Sequence, residues 1–325
     1  MSGANDTRDR AEARAPLRLP LAGGGTDLPS YYQRYGGYIL AVAIDCQVRV
    51  RLRRSKRTPP DPFLAAAAPP GLDIEARSPL PPGSGLGSSG ACLVAVRAAC
   101  RALEGLSPSP AILAEEAWRT EAITLGRPVG KQDHYVSAFG GLLRLDIEPD
   151  GSVRTRRLPL SDGWEEEFLA HVRLFDTGIR RSSAPLLEEQ RLRVLEQDAR
   201  VLDSLHRSRQ LGFEIEESLR RRDWKGFGLL LARHWELKRA RSKSVSSSHI
   251  DRCYDLAREV GCWGGKIPGA GGGGYLMLCS PPEKYGAIRR ALAQEGLREQ
   301  PFALDGAGAV VENTPISDSL AHAEP

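Results

Sequence analysis

The sequence predicts an α+β protein of two domains, and three observations carry that reading. A chain of 325 residues is long enough for two domains that each bury a core. Residues 14–158 read mainly as short strands and helices punctuated by Gly- and Pro-rich turns. From about residue 185 to 237 the pattern becomes long amphipathic helix, after which short helices and strands alternate. This change places the domain boundary near Asp162. Four segments result: a disordered leader (1–13), an N-terminal domain (14–161), a C-terminal domain (162–312) and a flexible tail (313–325).

Residues 14–21 form a strand that enters the Gly23-Gly24-Gly25 turn. Residues 38–44 and 46–53 are strands, and in the second Val48, Val50 and Leu52 alternate with Arg49, Arg51 and Arg53. That basic face is either a charged edge that resists further strand pairing or a surface that steers an anionic substrate. Residues 55–71, rich in Pro and Ala, read as a loop and 72–76 as a short strand. Helices follow at 88–103 and 110–125, the second leading into a Gly/Pro loop at 126–130. Residues 142–147 and 153–158 fit a hairpin across Pro149-Asp150-Gly151, and 171–176 is another strand. The helical stretch 185–237 is broken near Gly212 and Asp223. Helices at 250–260 and 282–294 and strands at 275–279 and 302–304 complete the pattern.

Composition excludes several classes of function. Hydrophobic residues make up 41% and charged residues 26%, the range of ordinary globular proteins. No apolar run approaches the roughly 20 residues that span a bilayer. Residues 1–14 lack the apolar stretch of a secretory signal, so a cytoplasmic protein is expected, without a membrane partner. A net charge of +4 suits small anions but is too weak to argue for nucleic acid. The six cysteines form no Cys-x-x-Cys pair and are expected to be reduced and buried; with the six histidines equally dispersed, a zinc site has no support.

Two glycine-rich loops carry the chemistry. In Pro81-Pro82-Gly83-Ser84-Gly85-Leu86-Gly87-Ser88-Ser89-Gly90, glycines let the backbone approach a ligand and turn N–H groups into one concavity. The following helix adds its own free N–H groups, a combination that suits phosphate, and the serines supply hydroxyls for a phosphate-bound metal. The loop has no Gly-Lys-Ser/Thr ending, so it is not a Walker loop. Its Gly85-x-Gly87-x-x-Gly90 spacing imitates a dinucleotide fingerprint, but Pro81-Pro82 keeps the chain extended where that site needs a tight turn. Gly269-Ala270-Gly271-Gly272-Gly273-Gly274 leads into a strand instead of a helix; ordering so many glycines suggests close backbone approach to something, with a flexible linker as the alternative.

Together with Arg14-Ala15-Pro16-Leu17-Arg18, these loops resemble the three ordered motifs of the GHMP kinase superfamily, across roughly residues 14–280. Within it, Ala22-Gly23-Gly24-Gly25-Thr26-Asp27-Leu28-Pro29-Ser30-Tyr31-Tyr32, Gly130-Lys131-Gln132-Asp133-His134-Tyr135, Thr177-Gly178-Ile179-Arg180 and Trp235-Glu236-Leu237-Lys238 resemble the heptose 7-phosphate kinases, with fucokinase-like proteins next. Asp176 departs from the aromatic expected before Thr177-Gly178, and Pro268 and residues 246–249 also depart. The resemblance implies a ribosomal-protein-S5-like N-terminal domain, a ferredoxin-like C-terminal domain and an active site in the cleft between them.

It also implies the roles. Pro82, Gly83, Ser84, Gly85, Leu86, Gly87, Ser88 and Ser89 would hold ATP, with Ser89 and Glu121 on Mg²⁺. Asp133 would orient the acceptor hydroxyl, faced by Arg18; a helix cap and a surface arginine are the plainer readings of the two. Gly24, Gly25, Thr26, Asp27, Thr177, Gly178, Gly271 and Gly272 would line the sugar site. Apart from the resemblance, the chemistry of Arg180 and Arg181 beside Thr177 and Ser182 leads to the expectation that they seat a substrate phosphate; capping a helix in solvent is the alternative. The expected reaction is transfer of the ATP γ-phosphate to a small-molecule sugar or sugar phosphate by a monomer or homodimer. The anomeric hydroxyl of a heptose 7-phosphate is the first expectation. Another sugar, or a non-catalytic nucleotide- or sugar-binding regulator, is the rival.

Overall fold

A computed structural model describes residues 9–55, 61–107 and 109–312. The first sheet grows from a long antiparallel pair, β1 (Arg10–Ala22) and β2 (Gly37–Arg54), joined through α1 (Pro29–Tyr35). The expected pair of strands at 38–44 and 46–53 is therefore one strand. The leader begins as β1 from Arg10, while residues 1–8 lie outside the described residues. The 55–71 loop carries α2 (Pro62–Ala67) and leads to β3 (Leu72–Arg77).

The outer half of β2 lies between β1 and β3, so it is not an edge. Arg49 pairs with Glu312, Arg51 with Glu12 and Glu75, and Arg53 with Asp73. The basic face is thus neutralised by acids on its own and flanking strands, which leaves little charge for steering. Next come α3 (Ser88–Leu103), α4 (Pro110–Arg119), α5 (Gln132–Phe139), and the hairpin β4 (Leu142–Ile147) and β5 (Val153–Arg157). Strand order is β10-β1-β2-β4-β5, with β3 also on β2. Ten residues of α3 are buried, and the helix packs on β1 and β2 as the apolar run Gly90 to Cys100 requires.

The second half opens with α6 (Trp164–His171), β6 (Val172–Asp176), α7 (Ala184–Leu195), α8 (Ala199–Arg220) and α9 (Trp224–Arg239). It continues through α10 (Ser248–Glu259), β7 (Gly264–Lys266), β8 (Tyr275–Cys279), α11 (Tyr285–Gln294), β9 (Arg298–Gln300) and β10 (Val310–Glu312). The sheet order is β7-β8-β6-β9. Its strands alternate between two cores. Leu174, Met277 and Cys279 join the large core shared with the first sheet, and Phe175, Leu276 and Leu278 join a smaller one with Trp235, Ile250 and Leu292. One continuous core thus ties the two halves together.

Three expectations need correction. The last strand, β10, returns to pair with β1, so residues 310–312 belong to the first sheet. The strand expected at 302–304 lies at Arg298–Gln300, and Leu304 makes only an isolated bridge to Ile44. The helix break expected at Gly212 falls at 196–198, and α8 runs through Gly212 because that glycine lets the Tyr38 ring lie against the helix. Tyr38 Oη donates to the Gly212 carbonyl at 3.1 Å and to Glu216 at 2.9 Å, which anchors α8 on β2. All six cysteines are free and five are buried. Among the described residues no helix is long and apolar enough to cross a membrane. Residues 313–325 lie outside the described residues.

A Cβ at Gly212 would sit 2.4 Å from Tyr38 Cε1. Gly212→Ala should therefore lower unfolding stability by about 1–3 kcal/mol, the usual cost of overpacking, as measured by urea denaturation. At Gly286 in α11 the nearest atom to an added Cβ is the flexible end of Arg290 at 3.6 Å, so Gly286→Ala should be neutral or stabilising by up to about 1 kcal/mol.

Candidate active site

Where the sheets meet the Gly23–Gly25 turn, the 82–90 loop and a third loop, the glycine-rich 269–274, a cavity of about 1030 Å³ opens. Its floor is the 82–90 loop. Gly83, Gly85 and Gly87 hold φ of 77°, 76° and 83°, a left-handed backbone that favours glycine. Gly87 is also the N-cap of α3 and supplies no side chain, so the first N–H groups of the helix have no side-chain cap where Ser88 and Ser89 face the cavity. Ser84 and Leu86 point into protein instead, 1% and 0% exposed.

The third loop explains its own glycines. A Cβ at Gly269 would lie 2.6 Å from the Gly85 carbonyl oxygen, and one at Gly274 would lie 2.2 Å from that of Ser84. The neighbour that these glycines approach is thus the phosphate-type loop. Gly271 lines the cavity, whereas Gly272 is packed against the Arg181 guanidinium.

At the centre stands Arg18. Buried in β1, it donates from Nε and Nη2 to Asp133 Oδ1 at 2.8 and 2.6 Å, and from Nη1 to the Gly85 carbonyl at 2.8 Å. Asp133 lies in the first turn of α5 and remains partly open to the cavity. Desolvation pushes its carboxyl up, but Arg18, His134 and the Gln132 amide outweigh that and hold it below the usual carboxylate range. The plainer readings of both residues fail: Asp133 sits inside the helix rather than capping it, and Arg18 is 3% exposed.

Glu121 reaches the cavity from a π-helical turn, Thr120–Thr124, where the expected single helix 110–125 changes its hydrogen bonding. It accepts from the Ser89 hydroxyl and meets His134 Nε2 at 2.9 Å. Burial raises its carboxyl, but His134 and Ser89 outweigh this and hold it low. Ser89 and Glu121 side by side form the hard-oxygen pair that suits Mg²⁺. His134, wholly buried, stands in the 130–135 motif but was given no role from the sequence.

Asp27 closes the other side. The Gln132 N–H donates to it at 3.0 Å and the Gly25 N–H at 3.3 Å, and Gly130 must be glycine because a Cβ there would lie 2.0 Å from Oδ2. Burial raises the Asp27 carboxyl, the Gln132 N–H opposes this, and nearby Asp133 adds to the rise. Gly24 and Gly25 line the cavity beside it. Thr26 and Thr177 do not: Thr26 Oγ1 bonds backbone of Gly23 and Tyr38, and Thr177 Oγ1 bonds Gly274, while Gly178 lies outside the lining.

The phosphate seat expected at Arg180 is corrected. Its guanidinium lines the cavity, but its fork grips Asp176 through both Nη atoms, with Nη1 to Oδ1 at 2.7 Å. The departure at Asp176 therefore neutralises the arginine meant for substrate. Arg181 is tied to the carbonyls of Gly271 and Ser244 and pins the third loop.

Opposite pKa directions predict opposite pH effects. Glu121 is depressed, so its carboxylate contributes stability above about pH 4 that is lost as pH falls. Asp27 is raised, so the folded state is favoured at low pH and loses that contribution as pH rises through the folded value. Thermal melts from pH 3 to 8 should therefore show Glu121→Gln less stable than wild type at neutral pH, with the gap closing in acid. Asp27→Asn should be more stable at neutral pH, with that gain vanishing in acid. Equal shifts at every pH would contradict both assignments.

Comparisons with known proteins agree with this architecture. The family model "GHMP kinases N terminal domain" matches residues 52–141, and "GHMP kinases C terminal" matches 215–298. A D-glycero-alpha-D-manno-heptose 7-phosphate kinase of Campylobacter jejuni is 27% identical over 318 residues, covering 87% of this chain and 93% of its own. A solved D-glycero-D-manno-heptose 1-phosphate kinase from Bacteroides thetaiotaomicron superposes with a TM-score of 0.76 at 22% identity, covering 94% of this chain and 99% of its own, a likeness of fold. A putative sugar kinase from Campylobacter jejuni superposes with a TM-score of 0.73 at 25% identity, covering 95% and 99%. With both domain models matched in order over more than half of the residues, the chain belongs to the GHMP kinase superfamily.

Proposed function

We propose that this kinase moves the γ-phosphate of ATP to a sugar hydroxyl, and that its acceptor is the anomeric hydroxyl of a D-glycero-D-manno-heptose 7-phosphate, giving the 1,7-bisphosphate. One observation carries the reaction: Arg18 links the Gly85 carbonyl of the phosphate-type loop to Asp133, beside Asp27. A nucleotide phosphate on that loop and a hydroxyl at Asp133 would be brought together by one rigid side chain. The similarity to a heptose 7-phosphate kinase along nearly the full length supports the acceptor.

The residues divide the work. The glycine backbone and the uncapped start of α3 would hold the phosphates, and Ser89 with Glu121 would hold Mg²⁺, which when bound neutralises charge on the phosphates. Gly24, Gly25 and Asp27 would receive sugar hydroxyls. The acceptor oxygen forms the new O–P bond, the bond between the γ-phosphorus and the β,γ-bridging oxygen breaks, ADP leaves, and the hydroxyl proton passes to Asp133 and then to solvent. A carboxylate held low is a weak base. Phosphoryl transfer builds little charge on the nucleophile before bond formation, so Asp133 chiefly orients the hydroxyl and takes its proton late. Arg18 keeps Asp133 ionised across the working pH range.

A coupled ADP-release screen over free and phosphorylated hexoses and heptoses tests the acceptor. The heptose 7-phosphate should give the highest kcat/KM; a neutral hexose ahead of it would contradict the assignment. Asp133→Asn should lower kcat by about 10²-fold or more with ATP affinity nearly unchanged, and near-normal turnover would remove Asp133 from the reaction.

A further inference from the structure

One wall of the cavity is built from buried positive charge. Lys238 on α9, Arg241 just beyond it and Lys266 on β7 are 7%, 5% and 2% exposed, and all three line the cavity. None of them has a carboxylate partner among the described residues. Lys238 Nζ donates to the carbonyls of Ile267 and Gly269 at 2.8 and 2.6 Å, and Lys266 Nζ to that of Leu21 at 2.8 Å. Arg241 donates to the Gly24 carbonyl at 2.8 Å and to the hydroxyls of Ser204 and Ser208 at 2.9 and 2.5 Å. His234 lies one turn before Lys238, is 2% exposed, lines the same cavity, and has no hydrogen-bond partner at either ring nitrogen among the described residues.

Buried cations without a counter-charge oppose folding, and neutral carbonyls and hydroxyls offset only part of that. Three such cations on one wall, together with His234, whose imidazole is held well below its ordinary pKa by burial and those cations and which has no partner among the described residues, mark a place built for an anion. Donors remain to serve it: an ammonium has three N–H groups and a guanidinium five, so Lys238, Lys266 and Arg241 each keep at least one beyond those named. Arg180 differs in charge, because Asp176 already supplies its counter-ion.

Resting on the kinase reading above, we propose that His234, Lys238, Arg241 and Lys266 seat a phosphate monoester carried by the acceptor at a position other than the hydroxyl that is phosphorylated. The nucleotide phosphates are the poorer candidate. The anchors of the cluster are Leu21, Gly24, Ser204, Ser208, Ile267 and Gly269; Gly269 packs on Gly85 of the 82–90 loop, but no donor of the cluster bonds that loop or Glu121, and Gly24 belongs to the Asp27 turn. A dianion suits the cluster better than a single carboxylate, since several fixed donors converge on it. Burial, with Arg241 and Arg18 nearby, pushes the Lys266 ammonium down to about 7, and burial with neighbouring cations pushes Lys238 well below its ordinary range, as expected of a site short of negative charge.

The test has two arms. In the first, a non-hydrolysable ATP analogue with magnesium saturates the nucleotide loop and inorganic phosphate is added while melting is followed. Phosphate should raise the wild-type Tm further, Lys238→Met and His234→Asn should each abolish that shift, and Arg180→Ala should keep it. Lys238→Met removes a buried cation that has no counter-charge but bonds two carbonyls, and its melt without ligand reports whether it folds; if it does not, His234→Asn decides. No phosphate shift in wild type, or a shift unchanged in the folded variants, overturns the proposal. The second arm compares kcat/KM for matched free and terminally phosphorylated sugars. The preference for the phosphorylated sugar should be about 10²-fold in wild type and close to unity in the variants, with KM for ATP unaltered. An equal fall for both sugars would place the cluster on the transferring phosphate and overturn the assignment. If no sugar releases ADP, the kinase reading fails, while the phosphate arm, which needs no turnover, still judges the site.

Discussion

Arg18 is the fixed point of the site. It projects from a buried central strand, and its guanidinium joins a loop carbonyl to a helix carboxylate that lie 67 and 115 residues away in the chain. A charged group with so little exposure persists only when its donors are satisfied, and Gly85 and Asp133 satisfy them. The same contacts set the loop against α5, so the groups that would meet phosphate and acceptor are positioned by one buried interaction instead of by mobile surface chains.

Close backbone packing supports that arrangement. The third loop rests on the second through glycines whose side chains would collide with carbonyls, and Arg181 clamps it from the far side. Lys131, also within the Gly130–Asp133 segment, is buried against the Trp118 ring at 4.0 Å and pairs with Glu115 at 2.6 Å, which fixes the start of α5. Glycine richness here therefore serves packing between loops as much as ligand approach, and the cost of ordering it is met by a cleft that needs little rearrangement.

Much of the architecture was legible because local signals agreed with tertiary ones. The helix at 88–103 follows a glycine loop and carries an unbroken small apolar run, and the strand at 275–279 is apolar on both faces because both face a core. The sequence was misleading where a long-range contact overrode the local rule. Gly212 reads as a helix breaker until Tyr38 is seen against it, and residues 302–304 read as a strand although only Leu304 finds a bridging partner. In the site, motif positions placed Arg18, Asp27, Glu121 and Asp133 around one cavity, but motif position says nothing of what a side chain is paired with. Arg180 looked available because Asp176 was read as a departure and not as its counter-ion. The buried cations had weaker signals: Lys238 stood at the end of the Trp235–Lys238 motif without a role, and Arg241, just beyond a helical stretch, looks like any solvated basic residue.

The central claim is that Arg18 and Asp133 act as one unit between the phosphate-type loop and the acceptor. A double-mutant cycle in kcat/KM with Arg18→Met, Asp133→Asn and the combined variant measures it. If the account is right, the combined loss falls well short of the product of the single losses, with a coupling of more than about 1 kcal/mol, as groups acting together give. Independent, multiplicative losses would contradict it.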